Sequence, residues 1–462
     1  VGGAVSGGTT ICSGSNATLT LSGHTGSILK WQSSTDGFTS IINDIANTTT
    51  TLNTGALVQT TQYRAVVQSG VCASINSSVA VVTVDPTSVG GSISGSTTVC
   101  SGTNSTNLTL SGHTGSIQNW EFSTDGGGTW TNIVNNTNTH TATNLTTTTI
   151  YRAIVKSGVC TATNSSNATI TVDPVSVGGS ISGSTTACSG SNSGTLTLSG
   201  HTGSVVRWEL STDGGTSWSN IVNTATTQNY NNLTTTTQYR AVIQSGVCSS
   251  VNSTIATITI DPVSVGGSVS GSTTVCSGSN SGTLTLSGHT GNILNWESST
   301  DGGSTWTTIA NTTTTQGYTN LTVPTLYRVI VKNGVCSSTN SASASLAIDP
   351  VSVGGSVSSS TTVCSGSNTG TLNLSGETGS VLRWESSTDG GSTWTSITNT
   401  TNSHTYNNIT VNTMYRAVVK SGVCSAANSA SATITVDPVS VGGSVSSNAT
   451  VCSGSNSGTL TL

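Results

Sequence analysis

The chain has 462 residues, and only 6% of them are charged, with 11 Lys or Arg against 16 Asp or Glu. A typical globular domain has about 25% charged residues, so the clustered acids, bases or metal ligands of an enzyme are scarce here. The net charge of -5 argues against a nucleic-acid binder, and no stretch approaches the roughly 18 apolar residues of a membrane span. We therefore expect no catalytic, cofactor-binding or metal-binding residues.

The cysteines recur with a period of 88 residues, and so do the dipeptide Asp-Pro and the tripeptide Val-Gly-Gly. This period predicts five tandem repeats, which cover residues 1–88, 89–176, 177–264, 265–352 and 353–440. Residues 441–462 match the start of a sixth, truncated repeat. We interpret the chain as a window cut from a longer array, in which the eleventh cysteine, Cys452, has lost its partner to the truncation.

Each repeat contains short runs that alternate polar and apolar residues. In the third repeat these runs are Thr195–Leu198, Val206–Leu210, Tyr239–Ile243 and Thr257–Ile260. A period of two residues is typical of half-buried β-strands, and the clusters of Gly, Ser and Asn between the runs supply turns. About seven such strands in 88 residues predict an all-β protein, a tandem array of immunoglobulin-like antiparallel β-sandwich domains.

Each repeat has two cysteines, and we expect them to form a disulfide within the repeat. In an immunoglobulin-like sandwich the first strand and the turn between the last two strands can share one pole, which would bring Cys188 near Cys248. The rival pairing joins Cys72 to Cys100 across the linker. Either pairing implies an oxidising, extracytoplasmic location. The predicted disulfide cysteines are Cys12, Cys72, Cys100, Cys160, Cys188, Cys248, Cys276, Cys336, Cys364 and Cys424.

Repeats two to five contain a Ser-Thr-Asp-Gly-Gly turn that ends in tryptophan. The turn resembles the Asp-box of sialidases and other β-proteins, which is a hairpin turn and not an active site. In such a turn Asp accepts backbone N–H bonds and Gly adopts positive φ. We expect a structural role for Asp125, Trp130, Asp213, Trp218, Asp301, Trp306, Asp389 and Trp394. The first repeat has Ile41 in the tryptophan position.

Two further dipeptides recur on strands, Trp-Glu before the Asp-box and Tyr-Arg after it, as in Trp208-Glu209 and Tyr239-Arg240. If Trp and Tyr face the core, Glu and Arg face outward and can pair across neighbouring strands. A surface pair of this kind is worth about 0–1 kcal/mol. A catalytic role for the glutamate would need a second carboxylate at a suitable position.

Metal sites are the remaining chemical alternative. His24, His113, His201 and His289 each lie alone in a Ser-Gly-His-Thr-Gly loop, whereas a zinc site needs several ligands. Calcium could stiffen the linkers, but each linker offers a single Asp and calcium prefers six to eight oxygen ligands. Our expectation remains that the chain has no cofactor.

The succession of motifs in each repeat resembles one known group of proteins. The motifs are Thr-Thr-Val-Cys-Ser-Gly, Thr-Leu-Thr-Leu-Ser-Gly, Trp-Glu-x-Ser-Thr-Asp-Gly-Gly, Tyr-Arg-Ala-Val-Val and Ser-Gly-Val-Cys. They are similar to the Ig-like repeats of giant cell-surface adhesins of Bacteroidota, the SprB-like gliding-motility adhesins. The resemblance implies export through the outer membrane by a dedicated secretion system, and a long surface fibre.

These observations predict a structural stalk of an extracellular cell-surface filament or adhesin, and not an enzyme. Its surface substrate or glycan would be bound by regions outside these residues. One alternative is an array of carbohydrate-binding modules, and another is a fibre or sheath subunit that associates laterally with itself. We expect no nucleic-acid partner.

Overall fold

The computed structural model describes residues 1–358, 360–454 and 456–462, which contain β-strands and no helix. Repeat 1 contains β1 (Ala4–Ser6), β2 (Thr10–Cys12), β3 (Thr18–Ser22), β4 (Ser27–Ser34), β5 (Asn43–Ile45), β6 (Thr51–Asn53), β7 (Thr61–Gln68), β8 (Ile75–Asn76) and β9 (Ala80–Asp85). Repeat 2 contains β10 (Ser92–Ser94), β11 (Thr97–Cys100), β12 (Ser105–Ser111), β13 (Ser116–Ser123), β14 (Thr131–Ile133), β15 (Thr139–Thr143), β16 (Thr149–Lys156), β17 (Thr163–Asn164) and β18 (Ala168–Asp173).

The next three repeats contain corresponding strands. Repeat 3 contains β19 (Ser180–Ser182), β20 (Thr185–Cys188), β21 (Ser193–Ser199), β22 (Ser204–Ser211), β23 (Ser219–Ile221), β24 (Thr227–Asn231), β25 (Thr237–Gln244), β26 (Val251–Asn252) and β27 (Ala256–Asp261). Repeat 4 contains β28 (Ser268–Ser270), β29 (Thr273–Cys276), β30 (Ser281–Ser287), β31 (Asn292–Ser299), β32 (Thr307–Ile309), β33 (Thr315–Thr319), β34 (Thr325–Lys332), β35 (Thr339–Asn340) and β36 (Ala344–Asp349). Repeat 5 contains β37 (Ser356–Val357), β38 (Thr361–Cys364), β39 (Thr369–Ser375), β40 (Ser380–Ser387), β41 (Thr395–Ile397), β42 (Ser403–Asn407), β43 (Thr413–Lys420), β44 (Ala427–Asn428) and β45 (Ala432–Asp437).

The chain forms two compact units. The first comprises residues Val1–Thr185, Ser193–Asn231 and Thr235–Thr259. The second comprises residues Thr186–Asn192, Asn232–Thr234 and Ile260–Leu462. In the described part of the chain, no helix is long and apolar enough to cross a membrane.

Repeat 2 shows how each sandwich is built. One sheet has three strands in the order β10-β12-β15, and the other has the order β11-β18-β16-β13-β14 with β17 added beside β16. The first strand of the sandwich is therefore split between the two sheets as β10 and β11. Counting these two pieces once and leaving out the two-residue β17 gives the seven strands that the sequence predicts. The fold is an immunoglobulin-like β-sandwich, as expected, but β11 pairs with β18 in parallel.

The core of the sandwich follows the alternation of the sequence. Trp120 is fully buried and packs with Leu108, Leu110 and Tyr151 between the two sheets. The indole Nε1 of Trp120 donates a hydrogen bond of 2.9 Å to the carbonyl oxygen of Thr137, so its polar atom is satisfied. The corresponding tryptophans of the other repeats, Trp31, Trp208, Trp296 and Trp384, are also fully buried.

Candidate functional site

The feature that most distinguishes this chain is a disulfide between successive repeats. Cys100 ends β11, and because β11 runs parallel to β18, Cys100 lies beside Asp173 at the end of repeat 2. Cys248 lies in the turn after β25 in repeat 3, and the two cysteines are bonded with a Cα–Cα distance of 4.9 Å. The same bond occurs four times, with a sequence separation of 148 between the partners, as Cys12–Cys160, Cys100–Cys248, Cys188–Cys336 and Cys276–Cys424.

This pairing corrects the predicted disulfide within each repeat, and it also excludes the rival bond from Cys72 to Cys100. The reason is the position of the two cysteines along β16. Cys100 lies where β16 begins and Cys160 follows its end. Eight strand residues span about 27 Å, whereas a disulfide needs its Cα atoms about 4.4–6.8 Å apart. The two cysteines of one repeat therefore cannot meet, and each bonds to a neighbouring repeat.

The linker adds hydrogen bonds to this covalent link. Oδ2 of Asp173 accepts a 2.9 Å hydrogen bond from the backbone N–H of Val247, and Oγ of Ser176 accepts one of 2.9 Å from the N–H of Ser245. The Sγ atom of Cys248 lies 3.2 Å from the carbonyl oxygen of Pro174. The linker side chains thus accept hydrogen bonds from backbone N–H groups of the turn that bears the second cysteine of the next repeat.

Both sets of hydrogen bonds recur at every junction, with distances of 2.8–2.9 Å. The linker aspartates accept from valines in the pairs Asp85–Val159, Asp173–Val247, Asp261–Val335 and Asp349–Val423. The linker serines accept in the pairs Ser88–Ser157, Ser176–Ser245, Ser264–Asn333 and Ser352–Ser421. The recurrent motifs Asp-Pro-x-Ser and Ser-Gly-Val-Cys are therefore the two halves of one contact.

Glycine is required where these halves meet. Gly246 has a φ of 46°, and a Cβ atom added to it would lie 1.8 Å from Oδ2 of Asp173. Gly178 in the linker is packed against the backbone, since its added Cβ would lie 2.0 Å from the carbonyl oxygen of Asn252. The backbone of Val177 also forms two hydrogen bonds with that of Thr202, at 3.0 and 3.1 Å. These contacts leave the linker little freedom of its own.

Three cysteines have no disulfide partner among the described residues: Cys72, Cys364 and Cys452. Cys72 and Cys364 were both predicted to be bonded, so this part of the prediction is wrong for the chain as described. Cys72 is exposed, whereas its equivalent Cys248 is only 2% exposed because the preceding repeat covers it.

The Asp-box turn is held by its aspartate. Oδ1 of Asp125 accepts from the hydroxyl of Ser123 at 2.7 Å and from the N–H of Thr129 at 2.9 Å, and Oδ2 accepts from the Thr129 hydroxyl at 2.7 Å. Hydrogen bonds from the side chains of Thr129 and Ser123 hold the pKa of Asp125 well below its usual range. The same turn forms around Asp213, Asp301 and Asp389.

The tryptophan of the Asp-box stacks on an arginine. The ring of Trp218 lies 4.0 Å from the guanidinium carbon of Arg240, whose Nε donates a 2.6 Å hydrogen bond to Glu209. Glu209 and Arg240 are directly opposite each other on β22 and β25, as the sequence predicts. Glu209 is nevertheless only 4% exposed. The expectation of a simple surface pair is therefore wrong, because Arg240 and Arg207 both bond to Glu209.

The pKa of Glu209 reflects two opposed causes. Burial raises it, but the hydrogen bonds from Arg240 and Arg207 outweigh burial and leave the pKa below its ordinary value. Glu209 is thus held as an anion between two cations, as in a structural ion pair. The equivalent tryptophans Trp130, Trp306 and Trp394 stack on arginines at 3.9–4.0 Å.

Repeat 1 replaces this stack with other residues. Ile41 takes the tryptophan position and is 44% exposed, while Phe38 lies 4.1 Å from the guanidinium of Arg64. Gln32 replaces the glutamate and accepts from Arg64 at 2.9 Å. Sequence reasoning missed the role of Phe38, although an aromatic residue inside an Asp-box without tryptophan was a usable signal.

The histidine loops lie close to the linkers. The N–H of Thr202, next to His201, pairs with Val177 of the linker. In the described part of the chain, no three His, Cys, Asp or Glu side chains are gathered in a way that could hold a metal ion. The linker aspartates, considered above for calcium, direct Oδ2 to a backbone N–H instead.

Five stretches of the chain match the model of one protein family, described as a domain of unknown function (DUF8696). They are residues 1–86, 89–174, 177–262, 265–350 and 353–438. The chain belongs to this family. No curated protein matches the chain as a whole or in part.

Several solved structures are similar to this chain of DUF8696 domains at low identity. The I-band fragment I67-I69 from titin is 11% identical, with a TM-score of 0.38, over 57% of this chain and 98% of that one. Sidekick-1 immunoglobulin domains 1-5 are 12% identical, with a TM-score of 0.25, over 95% and 99% of the two chains. Chicken CNTN1 FN1-FN3 domains are 15% identical, with a TM-score of 0.23, over 55% and 99%. At these TM-scores none of them bears on what the DUF8696 array does.

Proposed function

We propose that the chain is part of the structural stalk of a long extracellular filament or adhesin. The observation that carries the proposal is the disulfide that bonds each repeat to the next at all four junctions. A protein that works through one module at a time has no need of covalent bonds between modules, whereas a stalk must keep its modules in order under load. The array acts as a structural protein and not as an enzyme.

The cysteine chemistry supports a place outside the cytoplasm. Disulfides persist in secreted and cell-surface proteins and are rare in reducing compartments. The low content of charged residues also fits a surface that does not bind nucleic acids. Adhesive regions that contact a surface substrate or glycan would lie outside these five repeats.

The resemblance of the repeats to those of giant Bacteroidota adhesins supports a finer proposal. In that proposal the stalk is displayed on the cell surface after secretion and serves cell adhesion, with gliding motility as its specific use. The length of such a stalk is set by its number of repeats, because tandem arrays add their units one after another.

Immunogold electron microscopy of intact source cells, with an antibody to one repeat, tests the proposal. We expect gold particles strung along thin filaments that leave the cell. Gold confined to the medium or to bound polysaccharide would contradict the stalk and would favour an array of carbohydrate-binding modules. Light scattering on the purified chain tests lateral self-association, which a monodisperse monomer would exclude.

A further inference from the structure

The disulfides do more than join neighbouring repeats, because they overlap along the sequence. The first cysteine of each disulfide lies between the two cysteines of the preceding disulfide. Cys100 lies between Cys12 and its partner Cys160, and Cys188 lies between Cys100 and its partner Cys248. We infer that the array is a two-track tether: two sets of disulfides run through the same repeats and limit how far the chain can be stretched, and this limit survives the loss of either middle disulfide.

The first track skips from repeat to repeat through two disulfides. It crosses from Cys12 to Cys160, follows the chain through the next linker to Cys188, and crosses to Cys336. The second track uses the other two disulfides. Between its two disulfides, the first track contains only the chain segment from Cys160 to Cys188.

The second track has the same form, displaced by one repeat. It crosses from Cys100 to Cys248, follows the chain through a linker to Cys276, and crosses to Cys424. The two tracks share no disulfide. They are joined by the segment between the two cysteines of repeats 2, 3 and 4, so a covalent route can change from one track to the other within any of these three repeats.

The shortest covalent route from Val1 to Leu462 changes track once. It follows the first track to Cys336, returns along the chain to Cys276, and crosses to Cys424. Counted in Cα-to-Cα spacings, its chain segments are 11, 28, 60 and 38 long, which makes 137 in total.

A second route is equally short. It crosses from Cys12 to Cys160, returns along the chain to Cys100, and then follows the second track to its end. Its chain segments are 11, 60, 28 and 38 spacings long, which also makes 137. Between Cys160 and Cys276 the two routes share neither a disulfide nor a peptide bond.

These lengths limit extension, because the ends cannot move farther apart than the shortest covalent route allows. A fully extended chain spans at most about 3.3–3.6 Å per residue, so 137 spacings reach about 470 Å, whereas the whole chain of 461 spacings would reach about 1,600 Å. Unfolding the sandwiches would therefore lengthen the oxidised array far less than it would lengthen the reduced one. In a longer array of the same kind, each track would add only one linker-spanning segment for every two repeats.

The core of repeat 3 is spared the tension. Its segment from Cys188 to Cys248 lies on neither of the two shortest routes. That segment contains the core residue Trp208, the Asp-box and the Arg240 stack. The tension passes through the last strand of one repeat, the linker and the first strands of the next. It also passes through the segment between the two cysteines of repeat 4 on the first route, or of repeat 2 on the second.

The two routes also make the tether redundant at its two middle disulfides, whereas Cys12–Cys160 and Cys276–Cys424 lie on both routes. If the Cys188–Cys336 bond is removed, the second route still holds the ends at 137 spacings. If the Cys276–Cys424 bond is removed as well, both routes are broken, and the shortest remaining one has segments of 11, 60 and 214 spacings, which makes 285. Disulfides within repeats would show no such redundancy, because each would lie in series with the others.

Single-molecule force spectroscopy of the full chain tests this inference. The termini are attached through chemistry that does not use thiols, free cysteines are blocked, and the extension is measured at forces that unfold every repeat. We expect the paired replacement Cys188→Ser with Cys336→Ser to leave the full extension unchanged at about 470 Å. The mirror variant, Cys100→Ser with Cys248→Ser, should also leave it unchanged, so the test does not depend on one variant.

The variant that breaks both routes supplies the positive result. Replacing Cys188, Cys336, Cys276 and Cys424 by serine should lengthen the full extension by 148 spacings, about 510 Å. The control Cys364→Ser, which removes a free thiol, should change nothing. A lengthening of about 410 Å in either paired variant, as expected for bonds within repeats, would overturn the inference. Failure of the immunogold test would leave the two tracks untouched.

Discussion

Gly246 lies in the turn that receives the carboxylate of Asp173, and replacing it by alanine tests how much this contact holds the junction. Its φ of 46° is in the left-handed region, and the added Cβ atom would lie 1.8 Å from Oδ2 of Asp173. Asp173 would therefore have to move away, and the backbone N–H of Val247 would lose the acceptor that now lies at 2.9 Å.

The first repeat offers a matched control. Gly70 occupies the equivalent position with a φ of 53°, but an added Cβ atom there meets nothing within 4 Å. Gly70→Ala therefore bears only the cost of a left-handed alanine, about 1–2 kcal/mol. Gly246→Ala bears that cost and also loses a hydrogen bond to a charged acceptor, worth about 1.5–3 kcal/mol.

Hydrogen exchange of the turn amides measures the difference. Loss of the hydrogen bond should speed exchange of the Val247 amide by a further factor of about 10 to 100, since 1.4 kcal/mol is a factor of ten. In Gly70→Ala, the amide of Cys72, which donates to the carbonyl of Ser69 in the equivalent turn, should show only the smaller change from the backbone cost. If Gly246→Ala speeds exchange no more than Gly70→Ala does, the contact with Asp173 does not stabilise the junction, and the reasoning is wrong.

Three further predictions concern single repeats, each followed by thermal or denaturant unfolding. Trp384→Ala should destabilise repeat 5 by about 3–5 kcal/mol because the side chain is fully buried, whereas Trp394→Ala, which loses a stack on arginine and a hydrogen bond to the carbonyl of Gly391, should cost about 1–2 kcal/mol; equal effects would contradict the assigned core. Burial lowers the pKa of His404, so the unfolded chain binds its proton more readily, and repeat 5 should lose stability as the pH falls below about 6.5. His404→Gln, which introduces the residue found in repeat 4, should abolish that loss; an unchanged pH dependence would refute the assignment. Hydrogen bonds from Thr305 hold the pKa of Asp301 far below its usual value, so Asp301→Ala should lower the melting temperature by an amount that stays constant from pH 7 to about pH 4 and shrinks only below it.

The fold was predictable because its signal is local. Alternation along Tyr239–Ile243 fixes which side chains face the core, and the pairing of Glu209 with Arg240 follows once both strands are assigned. The burial of Glu209 was not predictable; Arg240 pairs with it from the neighbouring strand, and Arg207 reaches it from two residues away on the same strand. Whether a long side chain folds back over its neighbour is a matter of packing that alternation does not reveal.

The disulfide pairing was not predictable, because every candidate pairing repeats with the same period of 88 residues. The deciding fact is that the first strand of the sandwich splits, so that β11 runs parallel to β18 and places Cys100 at the far end of its repeat. Periodicity gives the strand but not the sheet that it joins. One signal was available: Asp-Pro and Ser-Gly-Val-Cys recur together, which fits two surfaces that meet.

A peptide map under non-reducing conditions tests the central claim, the bonding of each repeat to the next, most directly. All 11 Lys and Arg residues lie between the first and second cysteine of a repeat, so trypsin cuts only there. After the free thiols are blocked and the protein is denatured and fully digested, two disulfide-linked assemblies of three peptides are expected. One should contain residues 1–30, 157–207 and 333–383, and the other residues 65–152, 241–328 and 421–462. A single assembly that links all six peptides would show that the cysteines pair within repeats, and would contradict the account.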